Sequence, residues 1–153
     1  MSESSFSILR DIGALPLGNG EEIRFSIDVY RGFRYVSIRR YVQTDGFSGP
    51  TMDGVTLTPE ILRVLAPKIM GLADDSSTVP IGLLGKFAKR PGICIIAEIC
   101  SQKGQRALAL RQWEEEKGWT QKGIGLPLTQ LKEIKQLFQQ TREVLDEQPI
   151  DDF

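Results

Sequence analysis

The sequence predicts an α+β fold built from two tandem units, each an antiparallel β-sheet followed by an α-helix. Three observations carry this expectation. The chain repeats itself, each copy opens on residues that alternate with a period of two, and each copy closes on an apolar stripe at helical spacing. The first copy runs from Ile23 to Met70 and the second from Ile95 to Leu145. Gly32, Arg39 and Tyr41 return as Gly104, Arg111 and Trp113, an offset of 72 residues. After a loop that is 3 residues shorter in the second copy, Gly54 and Leu57 return as Gly123 and Leu126, an offset of 69.

Residues 1–20 read as an N-terminal arm to which the pattern assigns no structure. In the first unit, residues 21–71, Phe25, Ile27 and Val29 alternate with Arg24, Ser26, Asp28 and Tyr30. Arg31-Gly32 is a two-residue turn, with glycine supplying a positive φ. That turn sets Tyr30 opposite Phe33, Asp28 opposite Tyr35, Ser26 opposite Ser37 and Arg24 opposite Arg39. Those eight side chains share one face. The other face carries Phe25, Ile27, Val29, Val36 and Ile38, and a slip of one residue would expose it. Thr58-Pro59-Glu60 reads as a helix N-cap followed by proline at the first helical position. Ile61, Leu62, Leu65 and Ile69 follow at helical spacing, and Pro67 is expected to kink or shorten the helix.

Residues 72–91, with Asp74-Asp75-Ser76-Ser77, prolines and glycines, read as a linker that holds a short structured piece near Ile81–Phe87. In the second unit, residues 92–145, the turn region is Gln102-Lys103-Gly104-Gln105. Ala97, Ile99, Leu108 and Leu110 form its apolar face. Gln105, Ala107, Ala109, Arg111 and Trp113 line the opposite one. Thr129 is the candidate cap of a longer second helix, whose stripe is Leu131, Ile134, Leu137, Phe138 and Val144 or Leu145. Residues 146–153 form an acidic tail.

Composition narrows the function. The 153 residues include no histidine, which removes the commonest general base and metal ligand. Cys94 and Cys100 cannot make a standard zinc site alone and read as strand residues. No nucleotide loop, nucleophile–base pair or metal cluster stands out, so the expectation is a non-enzyme with no cofactor and no metal. The chain lacks an apolar run of membrane-spanning length and a secretory leader pattern, so the expected location is the cytoplasm, or a host's cytoplasm for a phage-encoded chain. The net charge of −1 hides an asymmetry: the five acids from Glu143 onward have no base among them, so residues 1–142 carry +4. Residues 86–122 alone hold eight bases against four acids.

The non-core face of the first unit gathers Arg24, Tyr30, Phe33, Tyr35, Arg39 and Tyr41. Exposed aromatic surface of this kind points to a partner. Aromatics give unpaired bases a stacking platform and arginines neutralise phosphate, whereas a duplex hides its base faces. In the second unit the candidates are Arg111 and Trp113, with Trp119 in the following loop and Arg106 in the basic stretch.

The stretch Tyr30 to Tyr41, a loop, and Gly54-Val55-Thr56-Leu57-Thr58-Pro59-Glu60 resembles the C-terminal domain of the transcriptional coactivator positive cofactor four family. The second copy resembles it through Lys103-Gly104, Leu110-Arg111-Gln112-Trp113 and Lys122-Gly123-Ile124-Gly125-Leu126. The resemblance implies a curved four-stranded antiparallel sheet followed by a helix, with the two copies forming an internal pseudo-dimer. It implies single-stranded DNA as the ligand, phosphate contacts from Arg39 and Arg111, and further contacts from Tyr30, Arg31, Lys103 and Lys122. Two positions depart from the pattern: Asp53 replaces a lysine in the first copy, and Gln102 replaces an aromatic in the second. Unequal halves are therefore expected.

The last residues, including Asp151, Asp152 and Phe153, resemble the acidic, phenylalanine-terminated tip of bacterial and phage single-strand-binding proteins. Such a tip offers a hydrophobic anchor and flanking acids to a basic pocket on a partner. The leading expectation is thus a protein that coats single-stranded DNA or RNA, recruits replication or recombination proteins through its tail, and works as a monomeric pseudo-dimer or a homodimer away from membranes. Two alternatives remain open: a transcription cofactor or regulator that binds melted DNA, and an assembly module whose aromatic faces meet other proteins.

Overall fold

The computed structural model describes residues 6–147. Eight strands and two helices follow in chain order: β1 Phe6–Gly18, β2 Glu21–Tyr30, β3 Phe33–Gln43, β4 Ser48–Leu57, α1 Pro59–Met70, β5 Gly82–Arg90, β6 Ile93–Gln102, β7 Gln105–Glu114, β8 Gly118–Pro127 and α2 Leu131–Glu147. All eight strands form one antiparallel sheet in the order β1-β2-β3-β4-β8-β7-β6-β5. Each half is a four-stranded meander closed by a helix, and the strand order reads as a mirror image about its middle. The halves join where β4 meets β8, through the single pair Gly54 and Gly123.

The β2–β3 register is the one the alternation predicts. Tyr30 faces Phe33, Asp28 faces Tyr35, Ser26 faces Ser37 and Arg24 faces Arg39. The turn is tighter than glycine alone requires, since Arg31 (φ 53°) and Gly32 (φ 81°) are both left-handed. Lys103 (φ 51°) and Gly104 (φ 78°) repeat this geometry. Each hairpin therefore holds a basic side chain at a position that L-residues rarely adopt.

The edge strands fill regions that the pattern left open. Most of the N-terminal arm is β1, paired along β2, and the short structured piece expected near Ile81–Phe87 is β5, paired along β6. Both strands escaped the period-two reading because their register shifts. β1 is irregular at Ile8/Arg10, Asp11/Gly13 and Pro16/Gly18, and β5 at Leu83/Gly85 and Ala88/Arg90. A bulge flips the following side chains to the other face, and edge strands tolerate such bulges.

Both helices lie on one face of the sheet. Thr58 caps α1, its Oγ1 accepting from the Ile61 N–H at 3.2 Å, and the helix ends at Met70, three residues beyond Pro67. The α2 entry differs from expectation: Thr129 sits inside a 3₁₀ turn, Leu128–Gln130, and the α-helix starts at Leu131. The helix also runs through Asp146 and Glu147, so the first two residues of the expected tail are helical, with Asp146 3.4 Å from Arg63. Packing crosses between the halves. Helix α2 lies against β1 and β2 of the first half, with Phe138 edge-on to Phe25 at 5.3 Å, while α1 lies against β3 and β4 of its own half and against β5 of the second. One apolar core results, with Phe25, Ile38, Leu62, Ile95, Leu110 and Phe138 all fully buried. Among the described residues no helix is long and apolar enough to cross a membrane.

Candidate nucleic-acid interface

The face away from the helices carries the first unit's aromatics and arginines, as the register requires. Its floor is polar. Ser26, Asp28 and Ser37 are buried there, and Ser26 Oγ donates to Asp28 Oδ1 at 2.7 Å. Burial pushes the Asp28 carboxyl above its ordinary range, while Ser26 and the Arg39 charge pull it back. Arg39 runs across β4, its Nη1 donating to the Thr51 carbonyl at 3.0 Å. Gly54 makes that path possible, since a Cβ there would stand 2.7 Å from Arg39 Cζ. The Thr51 carbonyl holds the guanidinium over the sheet, where it can meet a ligand oxygen.

Around this floor stand the aromatics. Phe33 is 67% exposed, the largest exposure among the candidate rings. Tyr30, Tyr35 and Tyr41 are half-buried. The Arg31 guanidinium lies 5.1 Å from the Tyr30 ring centre, and that of Arg24 lies 4.2 Å from the Tyr41 ring. Arg24 is also paired with Glu22, so its charge is partly balanced within the protein.

In the second half, Arg111 stacks on Trp119 at 3.9 Å, and Lys86 lies 5.6 Å from the Trp113 ring. Trp113 and Trp119 face each other across β7 and β8. Lys103 stands exposed at its turn. Arg106 is a correction. It pairs with Ser101, one step out of phase with Arg111, and so falls on the helix side of the sheet. There its Nε donates to the Val79 carbonyl at 2.7 Å. Arg34, its counterpart at the same offset, is likewise buried on that side. Asp151, Asp152 and Phe153 lie outside the described residues.

Two clefts flank the Gly54–Gly123 junction, of about 260 and 340 Å³. Their sizes are comparable, so chemistry distinguishes them. The first joins Tyr30, Tyr35 and Arg39 to Lys89, Arg90 and Lys122 of the second half. Lys89 and Arg90 belong to the basic stretch 86–122, but without the register of β5 nothing in the sequence brings them to the first repeat. Lys89 is half-buried, and its Nζ donates to Thr56 Oγ1 at 2.6 Å and to Gln112 Oε1 at 3.1 Å. Burial, reinforced by the neighbouring Arg90 and Lys122 charges, lowers its pKa to about 8. The second cleft is lined by Gln102, Arg111 and Lys122 together with Arg40 and Asp53. There the Arg40 guanidinium is already engaged by Asp53, at 2.6 and 3.0 Å, and by Glu21 at 2.9 Å. The two departures noted in the sequence, Asp53 and Gln102, thus both fall in the second cleft.

Comparison with known proteins returns one family. Residues 17–66 match the model described as Transcriptional Coactivator p15 (PC4). The matched stretch takes in β2, β3, β4 and most of α1. No curated protein matches the chain.

Proposed function

We propose, from a first repeat that is a relative of the transcriptional coactivator p15 (PC4) family, that the chain is a non-enzymatic protein that binds single-stranded nucleic acid across its helix-free sheet face. The observation that carries this reading is the face of the first repeat. Tyr30, Phe33, Tyr35 and Tyr41 stand there with Arg24 and Arg39 on strands whose register fixes them together, and Phe33 is left 67% exposed. Bases stack on such rings whatever their identity, and arginine meets phosphate, so binding is general in sequence and selective for unpaired strands. The two repeats act as an internal pseudo-dimer, with the mirror-image strand order and the packing of α2 on the first repeat in support.

A role in coating exposed strands, with the acidic residues after Glu147 recruiting replication or recombination proteins, goes one step further. It rests on the sequence of the tail. The matched family favours a second reading, a cofactor acting on melted DNA during transcription.

The test is fluorescence anisotropy with a labelled oligo-dT strand and a matching duplex across a salt series, using the full chain and a variant lacking residues 148–153. The single strand is expected to bind much more tightly, and its affinity to fall linearly on a log–log salt plot. Tail removal should leave that affinity equal or stronger. Equal affinity for strand and duplex would refute the stacking mechanism.

A further inference from the structure

We infer that the chain holds one strand, not two: its two quasi-equivalent clefts have diverged, and only the composite cleft of Tyr30, Tyr35 and Arg39 with Lys89, Arg90 and Lys122 takes a sugar–phosphate backbone. The inference rests on the single-strand reading above and specifies where, and how many times, the ligand binds.

The mirror-image strand order gives every position in one cleft a counterpart in the other. At the offset of the repeats, Tyr30 corresponds to Gln102, Tyr35 to Ala107 and Arg39 to Arg111. The two rings that line the first cleft, Tyr30 and Tyr35, therefore have no aromatic counterpart in the lining of the second. The charged positions diverge in the same sense. Lys122 corresponds to Asp53, and Gln112 to Arg40. In the second cleft Arg40 is paired with Asp53 and, beyond the lining, with Glu21, so a phosphate must approach the Asp53 carboxylate and compete for a guanidinium already held. That competition is unfavourable, because like charges repel and the existing hydrogen bonds must be broken.

In the first cleft the same place is filled by Gln112, a neutral acceptor that positions the Lys89 ammonium without cancelling it. The lining residues there include three cations near Arg39 and no carboxylate. Glu114, the acid whose charge acts on Lys89, is itself engaged by Gln112 Nε2 at 2.9 Å. The crowding of Lys89 by Arg90 and Lys122 is a cost that a bound phosphate relieves. Lys89 and Arg90 also line the neighbouring depression that holds Lys86 and Trp113. The basic track therefore continues from the first repeat's rings, past the junction, to a ring of the second repeat. On the other side the corresponding depression holds Arg24 and Tyr41 together with Glu21 and Glu22, and Arg24 is paired with Glu22.

The experiment is native mass spectrometry and titration calorimetry of the full chain with an oligo-dT of about eight nucleotides, within the range of one small-domain site. One strand per chain is expected. R90E, at an exposed position, should weaken binding at least about tenfold, and K89Q should lower the slope of the salt dependence by about one. Q121E, which puts a carboxylate into the second cleft, should change affinity by less than about twofold. Thermal midpoints of all three variants establish that each is folded. Two strands bound with equal affinity, or equal losses in R90E and Q121E, would overturn the inference while leaving the single-strand reading intact. No binding by the unaltered chain would overturn both.

Discussion

Lys89 shows how a single residue links the fold to its proposed ligand. Its Nζ is held between Thr56 of β4 and Gln112 of β7, so it reports on the junction of the two halves. The charged groups facing it are Arg90, Lys122 and, opposing them, Glu114. A pKa of about 8 makes it titrate within the working range of the folded chain. Two effects of opposite sign follow. In the free protein the folded pKa lies below the ordinary lysine value of 10.5, so the unfolded chain binds more protons and stability should rise as pH increases through that interval. A bound phosphate favours the ammonium, so affinity should be greatest below about 8 and decline above it. Anisotropy between pH 6.5 and 9.5, values chosen to bracket the titration, checks this, and K89R should flatten the curve. A profile unchanged in K89R would remove Lys89 from the site. Arg106 marks the opposite lesson. A count of local positive charge makes it a candidate, yet strand parity alone sends it to the helix side, where it serves Val79.

At the scale of elements, the central hairpins were legible and the edges were not. β2 and β3 alternate without interruption, and each turn pairs a base with a glycine in the left-handed region, so register could be read residue by residue. β1 and β5 carry bulges that break the alternation, and their apolar residues then resemble irregular chain. Without the register of β5, nothing in the sequence brings Lys89 and Arg90 to the candidate site. Helix stripes were legible as apolar spacing, but not the partner each would meet. Helix α2 packs on the other repeat, with Phe138 fully buried against Phe25. F138A should therefore destabilise the whole chain by about 3–5 kcal/mol in urea unfolding, because it empties a core shared by both halves. A loss below about 1 kcal/mol would place the ring outside that core.

At the scale of the molecule, one sheet of mirror-image order, an α2 that packs on the first repeat and an α1 that reaches β5 of the second make the core common to both repeats. Unfolding should accordingly be one cooperative transition, with coincident near- and far-ultraviolet dichroism, whereas two separated transitions would mean that the repeats are independent domains. The repeat itself was plain in the sequence. The divergence of its two clefts could be suspected from Asp53 and Gln102, but not located, because the residues that meet at Gly54 and Gly123 come from strands distant in the chain. That junction makes a symmetric scaffold chemically one-sided, with Tyr30, Tyr35 and four cations on one flank and the Arg40–Asp53 ion pair on the other.

The most direct test of the account is the affinity of F33A for an oligo-dT strand. Phe33 is 67% exposed and lies outside the apolar core, so its removal should leave the thermal midpoint unchanged. If unpaired bases stack on this face, the affinity should fall by about 1–3 kcal/mol, roughly five- to more than a hundredfold. A variant that binds as tightly as the unaltered chain would contradict the claim that the aromatic face of the first repeat receives the strand.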